Sequence, residues 1–151
     1  MRVRPGTPAD AAYILDLGSR TLDANVSEVR PAPLPLLQHS YERLVEFVTG
    51  QPHIAFVADS PMEPLGFVLA IDALPDEVTG LPQGFVAYMA VEPHARRLGV
   101  GRALLTAVED EARRRGLPHV ALMVTEDNAP ARQMYAQAGY VTERRLLCKA
   151  L

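Results

Sequence analysis

Arg96, Arg97, Gly99 and Gly101 stand together in the stretch "RRLGVGRALL", residues 96–105. Two cations and two positions without side chains open what reads as an apolar-periodic helix. The first turn of a helix presents backbone N–H groups with no internal partner, and the helix dipole adds partial positive charge there. An anion is stabilised in such a place. Glycine lets the backbone approach a bulky anion without a Cβ in the way. Two arginines add charge-assisted hydrogen bonds, roughly 1.5–3 kcal/mol each where water is excluded. The spacing fits a phosphate or pyrophosphate cradle. A glycine-rich turn carrying two surface arginines fits it equally well.

The nucleotide motifs built on such turns are incomplete here. No GxxxxGK[ST] is present, and the third glycine of a dinucleotide fingerprint is replaced by Leu104. The elements upstream also read as a hairpin rather than a βαβ unit. Nucleotide hydrolysis and hydride transfer are therefore disfavoured.

The composition narrows the classes further. The 151 residues are expected to form one domain, 1–151, and carry a formal net charge of only −3. That balance speaks against nucleic-acid binding by bulk charge. Cys148 is the only cysteine, so neither an intrachain disulfide nor a cysteine-based metal site can form, and no metal is expected. No apolar run approaches the ~18 residues that span a bilayer. Met1 leads straight into a polar, proline-rich stretch rather than a signal-peptide core. A cytoplasmic protein without membrane contact is the expectation.

The cradle needs elements to hold it. Residues 2–4 read as a short strand, followed by a helix with Thr7 as cap, Pro8 at its first position and Asp10 in its first turn. After the connector "SEVRPAPLP", Leu37, Tyr41, Leu44, Val45 and Val48 share one helical face, and Gly50 and Pro52 end it. "HIAFVAD" and "LGFVLAID" read as a hairpin across "SPMEP". "GFVAYMAV", residues 84–91, is nearly continuously apolar and is expected to be buried on both faces. The helix over roughly 102–115 buries Gly101, Leu104, Leu105, Val108 and Ala112. Glu109 with Arg113, Asp110 with Arg114 and Glu111 with Arg115 are i, i+4 pairs worth ~0.2–0.5 kcal/mol each. Arg113 to Arg115 read as a solvated face. "HVALMVT" is a further strand, "APARQMYAQAG" a short helix, and "YVTERRLLCKAL" one or two short strands. The order β-α-α-β-β-β-α-β-α-β gives an α/β protein with a mixed sheet covered by helices.

"MAVEPHARRLGVGRALL" resembles the acyl-CoA-binding segment of the GNAT superfamily of N-acetyltransferases, whose signature is Q/R-x-x-G-x-G/A. Arg96, Gly99 and Gly101 fill it. "EDNAPARQMYAQAGY" is similar to that family's second landmark through Asn128, Tyr135, Gly139 and Tyr140. "VRPGTPADAAYILDL" is similar to its opening strand and helix. The resemblance covers nearly the whole chain, in the expected order.

The resemblance implies an acyl-CoA N-acyltransferase fold with a mostly antiparallel sheet whose fourth and fifth strands splay apart. It implies acetyl-CoA as co-substrate. Met89, Ala90 and Val91 would pair with the pantetheine arm through their backbone. Arg96, Arg97, Leu98, Gly99, Val100, Gly101 and Arg102 would form the cradle, with the amides from Arg97 to Arg102 on the pyrophosphate. Asn128 would line the channel, and Tyr135 would act as general acid on the leaving thiolate. His94 reads as a surface residue.

The general base is where this chain departs from its relatives. The positions that often carry a carboxylate in those relatives are matched here by Phe85 and Met123. Glu28, Asp76, Glu77 and Glu126 are the remaining acids for the acceptor side, each also readable as a solvated charge. The acceptor, a small-molecule or peptide amine, would be gripped by Leu22 to Leu37, Ala73 to Gln83 and the C-terminal strands. The reading allows a homodimer. Beside transfer to an amine stands a second reading, a catalytically weak acyl-CoA-binding or sensing module of the same fold, and a third, an α/β nucleotide-binding protein that shares only the glycine turn.

Overall fold

The computed structural model describes residues 1–151. Five strands form one sheet in the order β1 (Arg2–Pro5), β2 (His53–Asp59), β3 (Pro64–Pro75), β4 (Pro82–Val91) and β5 (His119–Leu122). Neighbours from β1 to β4 are antiparallel, and β4 and β5 are parallel. Helices α1 (Ala11–Arg20) and α2 (Leu34–Thr49) cover one face. Helix α3 (Val100–Arg114) covers the other, joined there by residues of α4 (Ala129–Gln137). No helix is long and apolar enough to cross a membrane.

Each face carries its own core. Ile14, Leu17, Tyr41, Val45 and Val48 pack on Val57, Phe67 and Leu69. Val100, Leu104, Leu105 and Val108 pack on Ile54, Val68, Ala70 and Val86. Alternation along β3 feeds both cores, so its residues Gly66 to Ile71 are all buried. The two-faced burial expected of residues 84–91 belongs instead to β3. In β4 only Gly84, Val86 and Ala90 are buried, because part of its outer edge has no neighbour.

Two expectations for local structure change. Thr7, Pro8 and Asp10 shape a 3-10 turn ahead of α1, where Asp10 accepts from the Thr7 amide (2.8 Å) and from both terminal nitrogens of Arg4 (2.8 and 2.9 Å). On α3 the Asp110–Arg114 pair does not form. Arg113 takes Asp110 (2.7 Å), while Arg114 and Arg115 share Glu111. Arg115 is no solvated charge, since it also holds Asp72 of β3 at 2.8 Å.

The C-terminal expectation fails. Val141 to Leu151 form no strand. A strand needs a ladder to satisfy its backbone, and no backbone group of this segment pairs with the sheet.

Candidate functional site

The site begins with a flaw in a ladder. Leu69 pairs with Tyr88 and Ala70 with Val86, so Ala87 is an extra residue in β4. Such a bulge bends the strand and increases its twist. On its other side β4 pairs with β5 only as far as Val86 and Leu122. Beyond that point β4 continues along β3 through Val91, while the chain after Leu122 leaves the sheet. The expected strand over 119–125 is thus shorter by three residues, and its missing part opens a slot between Ala87–Val91 and the stretch from Met123.

The far wall of the slot is held by the other side of the molecule. Thr125 donates from Oγ1 to the Asn25 carbonyl at 2.7 Å, and the Glu28 amide donates to Asp127 at 3.1 Å. Asn25 also donates to the Tyr88 hydroxyl (3.2 Å), which lies 3.1 Å from Thr21 Oγ1. Burial pushes the Tyr88 phenol up, against those two bonds. Tyr88 and Tyr41, with ring centroids 4.7 Å apart, wall a mostly apolar cleft of about 200 Å³. Leu22, Val26 and Leu37 complete it. This cleft was not foreseen, although it falls within the segment expected to grip an acceptor. A tyrosine inside an apolar strand carries no signal that its hydroxyl faces a cleft.

At the Val91 end of the slot lies the glycine turn. Arg97 and Gly99 both have positive φ, 64° and 84°. Open space surrounds Gly99, so its glycine answers to conformation alone. The two reversals leave the amides of Arg97, Leu98, Gly99, Val100, Gly101 and Arg102 without any partner in the protein, and the first paired amide is that of Ala103. These are the same six amides that the family resemblance assigns to the cradle. Arg97 is exposed and unpaired, Arg96 reaches the Val91 carbonyl at 3.4 Å, and Arg102 is committed to the Gln137 carbonyl at 3.1 Å.

Gly101 also makes a contact that the sequence does not announce. It is buried and faces α4, where Met134 fills the place of a side chain. Its lack of a Cβ leaves room for that thioether.

Helix α4 supplies the remaining wall. Asn128 caps it by accepting from the Ala131 amide at 3.3 Å. Tyr135 packs on the α3-side core and against Tyr140, at 6.0 Å between ring centroids. Its hydroxyl makes no hydrogen bond within the chain, and burial pushes its phenol up, so it stays protonated at neutral pH.

The four acids scatter. Glu28 and Glu126 are exposed at the slot's outer wall, Glu126 beside Arg132. Asp76 and Glu77 sit at the opposite end of β4 from the slot. Asp76 closes a turn onto the Val78 and Thr79 amides and binds Arg144, and these bonds, Thr79's foremost, hold its carboxyl below the usual range. Phe85 packs on the α1–α2 core, and Met123 is exposed where the slot opens. His94 is exposed and pairs with Glu63. No three histidine, cysteine or acidic side chains are grouped as they would be to hold a metal ion.

A mixed sheet parted between its fourth and fifth strands, with bare helix amides at the end of the gap, is the architecture of an acetyltransferase fold. The model of the acetyltransferase (GNAT) family matches residues 22–140, and the chain belongs to that family. Solved structures agree. A Pyrococcus furiosus protein assigned as an acetyl transferase is 28% identical, with a TM-score of 0.85 over 99% of each chain. Two further structures share the fold. Ribosomal-protein-alanine N-acetyltransferase from Brucella melitensis biovar Abortus 2308 is 22% identical, with a TM-score of 0.72 over 100% of each chain. AAC(6')-Iy in complex with the bisubstrate analog CoA-S-monomethyl-acetylneamine is 18% identical, with a TM-score of 0.71 over 99% of this chain and 97% of that one. No curated protein matches the sequence.

Proposed function

We propose that this protein transfers an acetyl group from acetyl-CoA to a primary amine, by direct attack with both substrates bound. The observation that carries the proposal is the run of six unpartnered amides at the Val91 end of the slot. Six adjacent donors, with an unpaired Arg97 beside them, suit a diphosphate better than any smaller anion. The slot leads from there along an unpaired strand edge, which suits an extended arm carrying amides of its own. The donor set therefore fits the cofactor of the family.

In this assignment the amides of Arg97 to Arg102 hold the pyrophosphate, and the edge at Met89, Ala90 and Val91 takes up the pantetheine amides. Asn128, its Oδ1 spent on the helix cap, keeps its side-chain amide to line the slot. Bound acetyl-CoA supplies an acyl group already activated as a thioester. The chain's own part is mainly alignment, which can contribute ~7–11 kcal/mol. An unpaired amide of β4 serves as donor where negative charge grows on the carbonyl oxygen. Tyr135, protonated and without a partner, donates to the departing sulfur. The acceptor enters on the Tyr88 side, where the cleft and the slot share a wall. Neighbours of this fold include, by their names, an aminoglycoside antibiotic 6'-N-acetyltransferase from Acinetobacter haemolyticus and a ribosomal-protein-alanine N-acetyltransferase. The mostly apolar lining suits an acceptor with an apolar body more than a polycation.

Release of free CoA thiol from acetyl-CoA on addition of an amine panel, with mass-spectrometric detection of the acetylated product, tests this. Tight CoA binding without turnover of any amine would favour the sensing-module reading. Displacement of CoA by ATP or NAD would favour a generic nucleotide site.

A further inference from the structure

The cleft beside the slot is small, apolar and uncharged. Its volume of about 200 Å³ is walled mainly by Leu22, Val26, Leu37, Tyr41, Leu44 and Tyr88. Asn25 and Ser40 complete the lining, so no charged side chain faces it. Most of its polar atoms are already committed. The Tyr41 hydroxyl donates to the Ile14 carbonyl at 2.7 Å, and the Tyr88 hydroxyl is held by Thr21 and Asn25. Little is left to bind a sugar or a peptide backbone. A second charge placed here would lie against apolar surface without a partner, which is costly.

The two phenol rings set the shape of what fits. Their hydroxyl bonds hold both in place, and Tyr88 also stacks on Phe67, with centroids 6.1 Å apart and planes 16° from parallel. Tyr41 and Tyr88 meet at a tilt of 56°. A rigid pair of this kind offers a further flat ring the offset or tilted contacts, at roughly 4.5–7 Å, that aromatic groups prefer. An alkyl chain cannot use them. An apolar cavity of ~150 Å³ takes up one benzene, so the cleft holds one ring and a short spacer. The length of that spacer follows from Tyr88 itself. Two carbons separate its ring from its main-chain nitrogen, and its main chain lies in β4 next to the bulge at Ala87. A ring lying beside that of Tyr88 needs the same two carbons to bring its own nitrogen level with the edge along which the slot runs.

We infer that the acceptor is a primary amine carried on one aromatic ring by a spacer of about two carbons, with no second charge. The inference rests on the reading of this chain as an acetyltransferase and names the class of its acceptor. Charge at the entrance agrees with a single ammonium group. Asp23 lies between Leu22 and Asn25 in the chain, is exposed and has no ion-pair partner within the protein. Its negative charge is felt at the Tyr88 phenol. It draws a cation to the mouth, where the ring settles among apolar side chains and the amine is left at the slot.

Release of CoA thiol with phenethylamine, compared with cyclohexylethylamine, spermidine and an alanyl peptide, tests the class. The phenyl amine is expected to exceed the cyclohexyl amine in kcat/KM by about threefold or more, and the other two by about tenfold or more. Ser40 stands exposed at the mouth, so Ser40→Phe should keep the wild-type circular dichroism and CoA affinity. The new ring would fill the cleft, and KM for phenethylamine should rise by more than about tenfold. Calorimetry of phenethylamine on the CoA-bound protein separates this inference from the reading beneath it. Binding that is lost in Ser40→Phe, without turnover of any amine, would uphold the ligand class of the cleft and overturn acetyl transfer. Turnover of spermidine, the peptide or the cyclohexyl amine, with the phenyl amine no better, would overturn the aromatic class and leave acetyl transfer standing. An unchanged KM in Ser40→Phe would place the ring elsewhere and overturn the inference as well. Neither binding nor turnover overturns both.

Discussion

A Cβ placed on Gly101 would stand 2.9 Å from the Sδ of Met134, the residue before Tyr135. The thioether is the flexible end of the Met134 side chain, so it can give way to a larger residue. Gly101→Val should therefore cost no more than about 1–3 kcal/mol. It should lower turnover more than CoA affinity, because the amides stay and the displaced thioether disturbs the neighbouring Tyr135. Gly99→Ala should do the reverse. Its φ of 84° disfavours a side chain, so the turn resets and CoA binding weakens. Calorimetry and steady-state kinetics on the pair would separate them, and equal effects from both would refute the division of labour.

Removing the Tyr135 hydroxyl breaks no bond in the chain. Tyr135→Phe should leave thermal stability and CoA affinity unchanged, the former within about 0.5 kcal/mol. Turnover should fall by roughly 10²-fold, the low end for a general acid, since a thiolate leaves fairly well unaided. Wild-type turnover with chemistry rate-limiting would reduce Tyr135 to packing.

Neither Phe85 nor Met123 can accept a proton, and the four acids are spread over both ends of β4. The amine is expected to arrive neutral or to lose its proton through water. Bringing a pKa of ~10.4 to neutral pH costs about 4 kcal/mol, within what alignment supplies. The rate should then rise with pH towards the acceptor's own pKa, and amines of lower pKa should react faster at neutral pH. Alanine at Glu28 or Glu126 should alter mainly acceptor KM, and at Glu77, at the far end of β4, should leave it unchanged. Asp76→Ala should release its turn and Arg144 instead. A profile levelling at ~6–7 and abolished by one of these changes would reveal a base.

The ion pair between Arg4 and Asp10 sets an acid limit on the fold. Hydrogen bonds from Arg4, foremost, bring the Asp10 carboxyl down to about 2. A depressed folded pKa contributes stability above the unfolded value of ~3.9 and loses it as pH falls towards the folded one. Asp10→Asn should cost roughly 1–2 kcal/mol at neutral pH, the pair being only partly shielded from water. It should cost nearly nothing near pH 2. Denaturant melts at both pH values check this, and a pH-independent difference would place the effect in the turn itself.

Much of this was legible from local rules. Gly50, Gly116 and Gly139 end helices where their spacing says, and the stripe from Leu104 to Ala112 predicts the buried face of α3. The bare amides of Val100 to Arg102 are legible because helix starts leave donors over, whereas those of Arg97 to Gly99 follow only from the family resemblance. What resisted reading is non-local. The bulge at Ala87 depends on register between β3 and β4, which neither strand encodes alone. The role of Gly101 depends on Met134, distant in sequence. The tail has a strand's composition, but composition does not supply the ladder that a strand requires.

Only two hydrogen bonds tie the outer wall of the slot to the α1–α2 connection, Thr125 to Asn25 and Glu28 to Asp127. Both are open to water, and each is worth about 1 kcal/mol net. Parting them costs on the order of 2 kcal/mol, a fluctuation that a native protein samples a few per cent of the time. A long cofactor can thus thread sideways into its groove without any lid having to unfold, and the spent carrier can leave by the same seam. The pace of successive turnovers would then be set by how often that seam yawns, which ties throughput to two weak bonds remote from the reacting atoms.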